Sequence, residues 1–168
     1  MTSNTNDHLV LICGESTTGK SMSLRDIPNQ ERWVYLNCEA GKRLPFKNKF
    51  KSAVITNPFD VLAYFNHIKG NPDFDGMIID TLTFLLDMYE SQFVINAANG
   101  QKAWSDFAQF FKTMMQDHVA GSDKTIIFLA HTLTLLNEEK MINETKVPVK
   151  GSLKNNGIEA LENSALAA

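Results

Sequence analysis

The sequence predicts an α/β fold organised around a phosphate-binding loop, and three observations carry that expectation. Gly14-Glu15-Ser16-Thr17-Thr18-Gly19-Lys20-Ser21 fits the pattern G-x-x-x-x-G-K-[ST]. Apolar runs of strand length alternate with segments of helical periodicity. One of those runs, Met77-Ile78-Ile79-Asp80, ends in an aspartate of the kind that holds a divalent cation.

The pattern at 14–21 has a mechanical meaning. Glycines at both ends let the backbone curl until successive N–H groups face an anion. Lys20 is placed to reach the β- and γ-phosphates of a nucleotide, and the Ser21 hydroxyl to ligate Mg²⁺. The expected nucleotide contacts are Gly14, Glu15, Ser16, Thr17, Thr18, Gly19, Lys20, Ser21 and Met22, the last opening a short helix whose positive end faces the same phosphates. His8-Leu9-Val10-Leu11-Ile12-Cys13 precedes the loop as a strand, and Met22-Ser23-Leu24-Arg25-Asp26 follows it as a helix that Pro28 stops. A stretch that merely turns the chain is the competing explanation, and the order strand, loop, helix weighs against it.

The 168 residues suffice for one domain with a buried core, expected over 8–157 between a disordered tail at 1–7 and a shortened or altered tail at 158–168. Composition is ordinary for a soluble α/β protein, and no apolar run is long enough to span a bilayer, so no membrane partner is expected. Residues 1–7 lack the basic-then-apolar layout of a signal peptide, which places the chain in the cytoplasm. Cys13 and Cys38 each end a run read as a buried strand and are expected as reduced thiols, not as a disulfide or a metal site. The net charge of −3 hides an asymmetry, because Lys42, Arg43, Lys47, Lys49 and Lys51 fall in a stretch that contains no acid.

Trp33-Val34-Tyr35-Leu36-Asn37-Cys38 reads as the second strand and stops at Glu39-Ala40-Gly41. A carboxylate there lies on the edge where open α/β sheets bind ligands, which makes Glu39 the candidate for orienting or deprotonating an attacking water. An ordinary loop glutamate fits the same letters. The basic stretch interleaves Phe46 and Phe50, an arrangement that suits single-stranded nucleic acid. A solvated loop whose phenylalanines pack back onto the domain explains it equally simply and is the preferred reading.

Ser52–Thr56 reads as a third strand, and Phe59–Lys69 as a helix with Val61, Leu62, Phe65 and Ile68 on one face. Asp80 then holds the Mg²⁺ complex, usually through a water. Many enzymes with such a loop carry a catalytic glutamate next, but here the residue is Thr81, so the base must come from elsewhere and Glu39 gains. Thr81–Ile95 and Lys102–Val119 are amphipathic helices whose aromatic and methionine stripes read as core, joined by a linker over 96–101. Thr125–Thr132 is the most hydrophobic strand. It ends in His131, read as a sensor of the γ-phosphate, with a local cap of the strand as the alternative. Leu133–Val149 forms a β-hairpin with Pro148 at its edge. The segment beyond it holds Lys150 and Lys154, which either reach a neighbouring copy's nucleotide as trans-acting cations or lie in a solvated tail.

Taken together, Gly14–Ser21, Tyr35–Glu39, Ile78–Thr81, Phe128–His131 and Val149–Asn155 resemble the RecA-like branch of phosphate-loop ATPases. The likeness is greatest to the small RecA-like ATPases that bacteriophages encode and that are grouped with single-strand-annealing recombination proteins. The resemblance covers nearly the whole chain. It implies a three-layer P-loop NTPase fold: a mostly parallel sheet of order 3-2-4-5-1, a terminal hairpin beside strand 1, and helices on both faces. It also implies ATP as nucleotide with Mg²⁺, hydrolysis with Glu39 as catalytic carboxylate, and coupling to single-stranded DNA and a single-stranded DNA-binding protein. Nucleotide sites would be completed between copies in a homo-oligomeric ring or filament, with Lys150 or Lys154 reaching across. The family normally continues through a further strand, whereas this chain stops at Ala168.

Two other function classes share the loop. A small-molecule or nucleotide kinase would open the same way, but after Arg43 the chain has no arginine to clamp a transferring phosphoryl group. A nucleotide-binding assembly module with negligible turnover would keep the loop and have no use for Glu39.

Overall fold

Strands whose residues are apolar on both faces must satisfy their backbone inside a sheet and be covered on either side. The structure, a computed structural model, describes residues 6–150. Five strands, β1 (Leu9–Gly14), β2 (Trp33–Asn37), β3 (Lys51–Val54), β4 (Gly76–Asp80) and β5 (Thr125–His131), form one sheet of order β1-β5-β4-β2-β3. Every pairing is parallel. This is the order the resemblance implies, read from the opposite edge. β2 and β4 are buried at every position, as expected of strands in the middle of a parallel sheet.

The period of two sorts the strand residues between two cores. Val34, Leu36, Met77, Ile79, Ile126 and Phe128 face the helices α1 (Asp60–Ile68), α2 (Leu82–Tyr89) and α3 (Gly100–Thr113). Tyr35, Ile78, Ile127 and Leu129 face the other way, onto Leu24 and Phe50. The layers are therefore unequal: three α-helices cover one face, while a 3-10 helix (Lys20–Asp26) and the 41–50 segment cover the other. Phe50 is buried and stacks on Tyr35 at 6.0 Å between ring centroids, and Phe46 packs against the same cluster. Both phenylalanines of the basic stretch thus pack back onto the domain.

Local signals explain where the helices start. Thr81 caps α2 by accepting from the Phe84 N–H, and Asn99 caps α3 by accepting from the Lys102 N–H. Each helix then runs on in a π-helical turn, Glu90–Val94 and Met114–Val119, which carries it close to the ends its periodicity predicts.

Four features depart from expectation. Among the described residues, the hairpin strands β6 (Leu133–Asn137) and β7 (Ile142–Lys146) pair with each other and not with strand 1. The last link to β1 is Thr132 N–H donating to the Gly14 carbonyl at 3.0 Å. Beyond it, Leu133, Leu135 and Leu136 are all about half exposed, so β6 has no buried face with which to extend the core. Cys13 is exposed, because β1 is an edge strand covered less fully than the centre; burial pushes the Cys38 thiol up to about 12. Asn6, inside the expected N-terminal tail, is buried, and its amide donates to the carbonyls of Val119 and Lys124, both at 3.1 Å. Finally, after β7 the chain returns to the helical face, where Val147 is buried and Lys150 pairs with Glu90 and, at 3.5 Å, with Asp87 of its own chain. In this structure Lys150 is thus paired within its own chain, and Lys154 lies outside the described residues.

Phe128, fully buried between the sheet and the helices, tests this packing. Phe128→Ala is expected to cost about 3–5 kcal/mol, read as a lower urea midpoint.

Candidate active site

The parallel register brings the C-terminal ends of four strands to one edge. Gly14 pairs with His131, Asp80 with Leu129, and Asn37 with Asp80. The phosphate-loop pattern leaves β1 at this edge. A Cβ on Gly14 would sit 2.6 Å from the Thr18 hydroxyl, so the loop can close over this position only if the side chain is absent. Gly19 has φ +91°, in the left-handed region that glycine occupies without strain, and from it the chain enters the 3-10 helix. Thr18 ties the loop by donating its hydroxyl to the Glu15 carbonyl at 2.8 Å. Ser16 and Thr17 are exposed, as is Met22, whose N–H is spent on the Gly19 carbonyl at 2.9 Å.

Lys20 lies folded into the loop it follows. Its ammonium donates to the carbonyls of Gly14 at 2.9 Å and Glu15 at 2.7 Å, and stands 3.3 Å from His131 Nδ1. These use all three donors. Burial and the nearby Lys42 ammonium hold Lys20 below the usual lysine value.

A lysine offers no acceptor, so His131 Nδ1 must accept, and the other ring nitrogen carries the proton. That nitrogen, Nε2, donates to Glu39 Oε1 at 3.1 Å. The ring is held in place by Phe84, edge-on at 5.7 Å, and its backbone N–H donates to the Thr83 hydroxyl at 2.9 Å. Glu39 Oε2 takes Lys42 Nζ at 2.8 Å. Burial alone would raise Glu39, but the hydrogen bonds from Lys42 and His131 outweigh it and hold the carboxyl below the usual glutamate range. Lys20 from the helix after the phosphate loop, His131 from the end of β5 and Glu39 from just beyond β2 therefore form one continuous polar chain.

Beside it lies a second pair. Ser21 donates its hydroxyl to Asp80 Oδ2 at 3.1 Å, and the Tyr35 hydroxyl donates to the same oxygen at 2.7 Å. Among the described residues, Asp80 Oδ1 is buried without a hydrogen-bond partner. A buried carboxylate oxygen left unsatisfied beside a serine hydroxyl suits a hard, oxygen-seeking cation or a water bound to one. The residues expected to hold Mg²⁺ fit that group.

The description AAA domain matches residues 7–160 of the chain. The chain belongs to the AAA domain family. Membership places it among the nucleotide-binding, phosphate-loop ATPase domains. No curated protein matches it. Among the described residues, no helix is long and apolar enough to cross a membrane.

Four polar groups of this AAA domain's site escaped sequence reasoning. Tyr35 and Thr83 lie within a strand and a helix, where their hydroxyls read as ordinary. Lys42 was one cation of a basic stretch, and Asn37 a strand end. A usable signal did exist for Lys42: Glu39-Ala40-Gly41-Lys42 places opposite charges across a tight turn.

The depressed Glu39 value has a consequence for stability. The folded-state value lies below that of an unfolded glutamate, about 4.3, so the network stabilises the AAA domain above that pH and loses its contribution as pH falls through the folded value. Glu39→Gln is expected to destabilise the fold by at most about 1 kcal/mol at neutral pH, since Lys42 stands partly in solvent. The difference should shrink in urea melts of the two proteins as pH falls through the folded-state value and vanish below it.

Proposed function

We propose that this chain is an Mg²⁺-dependent ATPase of the RecA-like kind that couples ATP hydrolysis to the handling of single-stranded DNA in phage recombination or replication. It would act as a homo-oligomeric ring or filament beside a single-stranded DNA-binding protein. The observation that carries the catalytic part is the polar chain Lys20–His131–Glu39, which joins the phosphate-loop cation to a carboxylate from a different strand.

The roles follow from the groups. Lys20 exchanges its hold on the Gly14 and Glu15 carbonyls for phosphate oxygens, a stronger charge-assisted contact. Ser21 and Asp80 hold the Mg²⁺, which when bound offsets charge on the phosphate oxygens. Glu39 orients the attacking water and takes its proton, and its low proton affinity keeps it ionised and able to accept at neutral pH. His131 touches both Lys20 and Glu39, so a change at the phosphates reaches the base through one ring. DNA coupling is supported by the resemblance and by the acid-free basic stretch next to Glu39.

The test is steady-state ATP hydrolysis with and without single-stranded DNA, with nucleotide binding measured in parallel. Lys20→Ala is expected to lose nucleotide binding. Glu39→Gln is expected to keep binding and lose turnover by on the order of 10²–10⁴. Turnover that is absent in the parent, or indifferent to both substitutions, would sink the ATPase reading in favour of a nucleotide-gated assembly module. Hydrolysis that appears only with a phosphoryl acceptor present would favour a kinase.

A further inference from the structure

Both oxygens of Glu39 are engaged, one by His131 and the other by Lys42. Lys42 lies outside the chain that leads to the phosphate loop, yet the turn that carries it is elaborately built. Its N–H donates to the Glu39 carbonyl at 3.1 Å, closing a four-residue turn. Ala40 at φ 43° and Gly41 at φ 90° supply the two left-handed residues that reverse the chain so tightly. Asn37, buried beneath, clasps both ends: its amide donates to the Lys42 carbonyl at 2.6 Å, and its oxygen accepts from the Glu39 N–H at 3.0 Å. The backbone of Lys42 is thus anchored while its head reaches into solvent. Its side chain is 42% exposed against 10% for Glu39.

Lys42 also lines a cavity of about 420 Å³, together with Arg43, Asn48, Tyr35, Phe46 and Val54. That volume falls within the range of small-molecule sites and accommodates one nucleotide unit. Arg43, and Lys47 and Lys49 just beyond it, make no ion pair among the described residues, although the protein as a whole is acidic. Arg43 therefore gives the cavity an uncompensated cation beside the partly buried ring of Phe46, the pairing that receives a phosphate and stacks a base.

We propose that Lys42 is a gate on Glu39: its ammonium holds the carboxylate while the cavity is empty, and the phosphate of a nucleic-acid single strand entering the cavity draws it away and releases Glu39 to act on water. The gate rests on Glu39 being the base and adds to that reading the place where a strand acts on turnover. A single strand is favoured over a duplex because the ring and the guanidinium serve an unstacked base. Lys42 is in this scheme a positioning residue, and its loss should change the dependence of turnover on the strand and leave nucleotide affinity as it was.

The experiment uses the full chain with an oligo-dT probe and measures hydrolysis against probe concentration, with fluorescent-ATP binding as the control for folding. Lys42→Met, and Lys42→Gln as a second variant, are expected to raise strand-free turnover about fivefold, the ratio an ion pair of this exposure commands, and to lose further stimulation. Lys42→Arg should restore the gate, and Arg43→Ala should raise the probe concentration needed for half-maximal stimulation. Strand-free turnover at or below the parent's in both neutral variants, or stimulation equal to the parent's, overturns the gate. Glu39→Gln run alongside separates the two failures. If it hydrolyses ATP like the parent, Glu39 is not the base. If it is inactive while the Lys42 variants behave like the parent, the base stands and only the gate falls.

Discussion

The parallel register of β1, β5, β4 and β2 is the constraint on which the site depends. Parallel strands all end at the same edge, so residues far apart in sequence arrive together without any loop having to reach them. Gly14 beside His131, and Asp80 beside Asn37, are ladder partners or their neighbours. A one-residue slip of β5 would turn His131 to the opposite face of the sheet and break the path from Lys20 to Glu39. The large core beneath the three helices, with Phe107, Phe111 and Phe128 fully buried, holds that register. Packing in this protein is therefore a condition of its chemistry.

The site accommodates charge in low-dielectric surroundings by two different means. Lys20, His131, Glu39 and Lys42 alternate donors and acceptors, so each charge has a partner and the group is satisfied without a ligand. Asp80 is treated otherwise: two hydroxyls reach one oxygen, and the other is left without a partner. An unsatisfied buried oxygen is costly, and a bound cation or its water would remove that cost. The polar chain can thus stand by itself, whereas the serine–aspartate pair is completed by what binds to it.

The unequal covering of the sheet links the basic stretch to the site. The three α-helices take one face and leave the other to a 3-10 helix and the 41–50 segment. Phe46 and Phe50 anchor that segment against Tyr35, whose hydroxyl reaches Asp80. The same segment begins at the turn that presents Lys42 to Glu39. Cations that look in sequence like a solvated loop are thereby fastened to the wall of the site by the aromatic residues between them.

The sequence by itself determined the elements and the nature of the ligand. Local chemistry suffices for these: the glycine and lysine spacing at 14–21, the β-rich runs, and the helical stripes at 61–68, 82–93 and 104–115 are all readable within a few residues. Glu39, Asp80 and His131 could be marked as candidates because each ends a strand, and strand ends in such folds share an edge. What touches what was decided only by the tertiary structure. Tyr35 on Asp80, Thr83 under His131, and Lys42 on Glu39 are contacts set by strand order, register and one left-handed turn. The placement of the hairpin was decided there too, because it depends on whether β6 has a buried face to offer, and its exposed leucines offer none. Period and motif are properties of neighbours along the chain, whereas polar pairing across a sheet edge depends on which strands lie side by side.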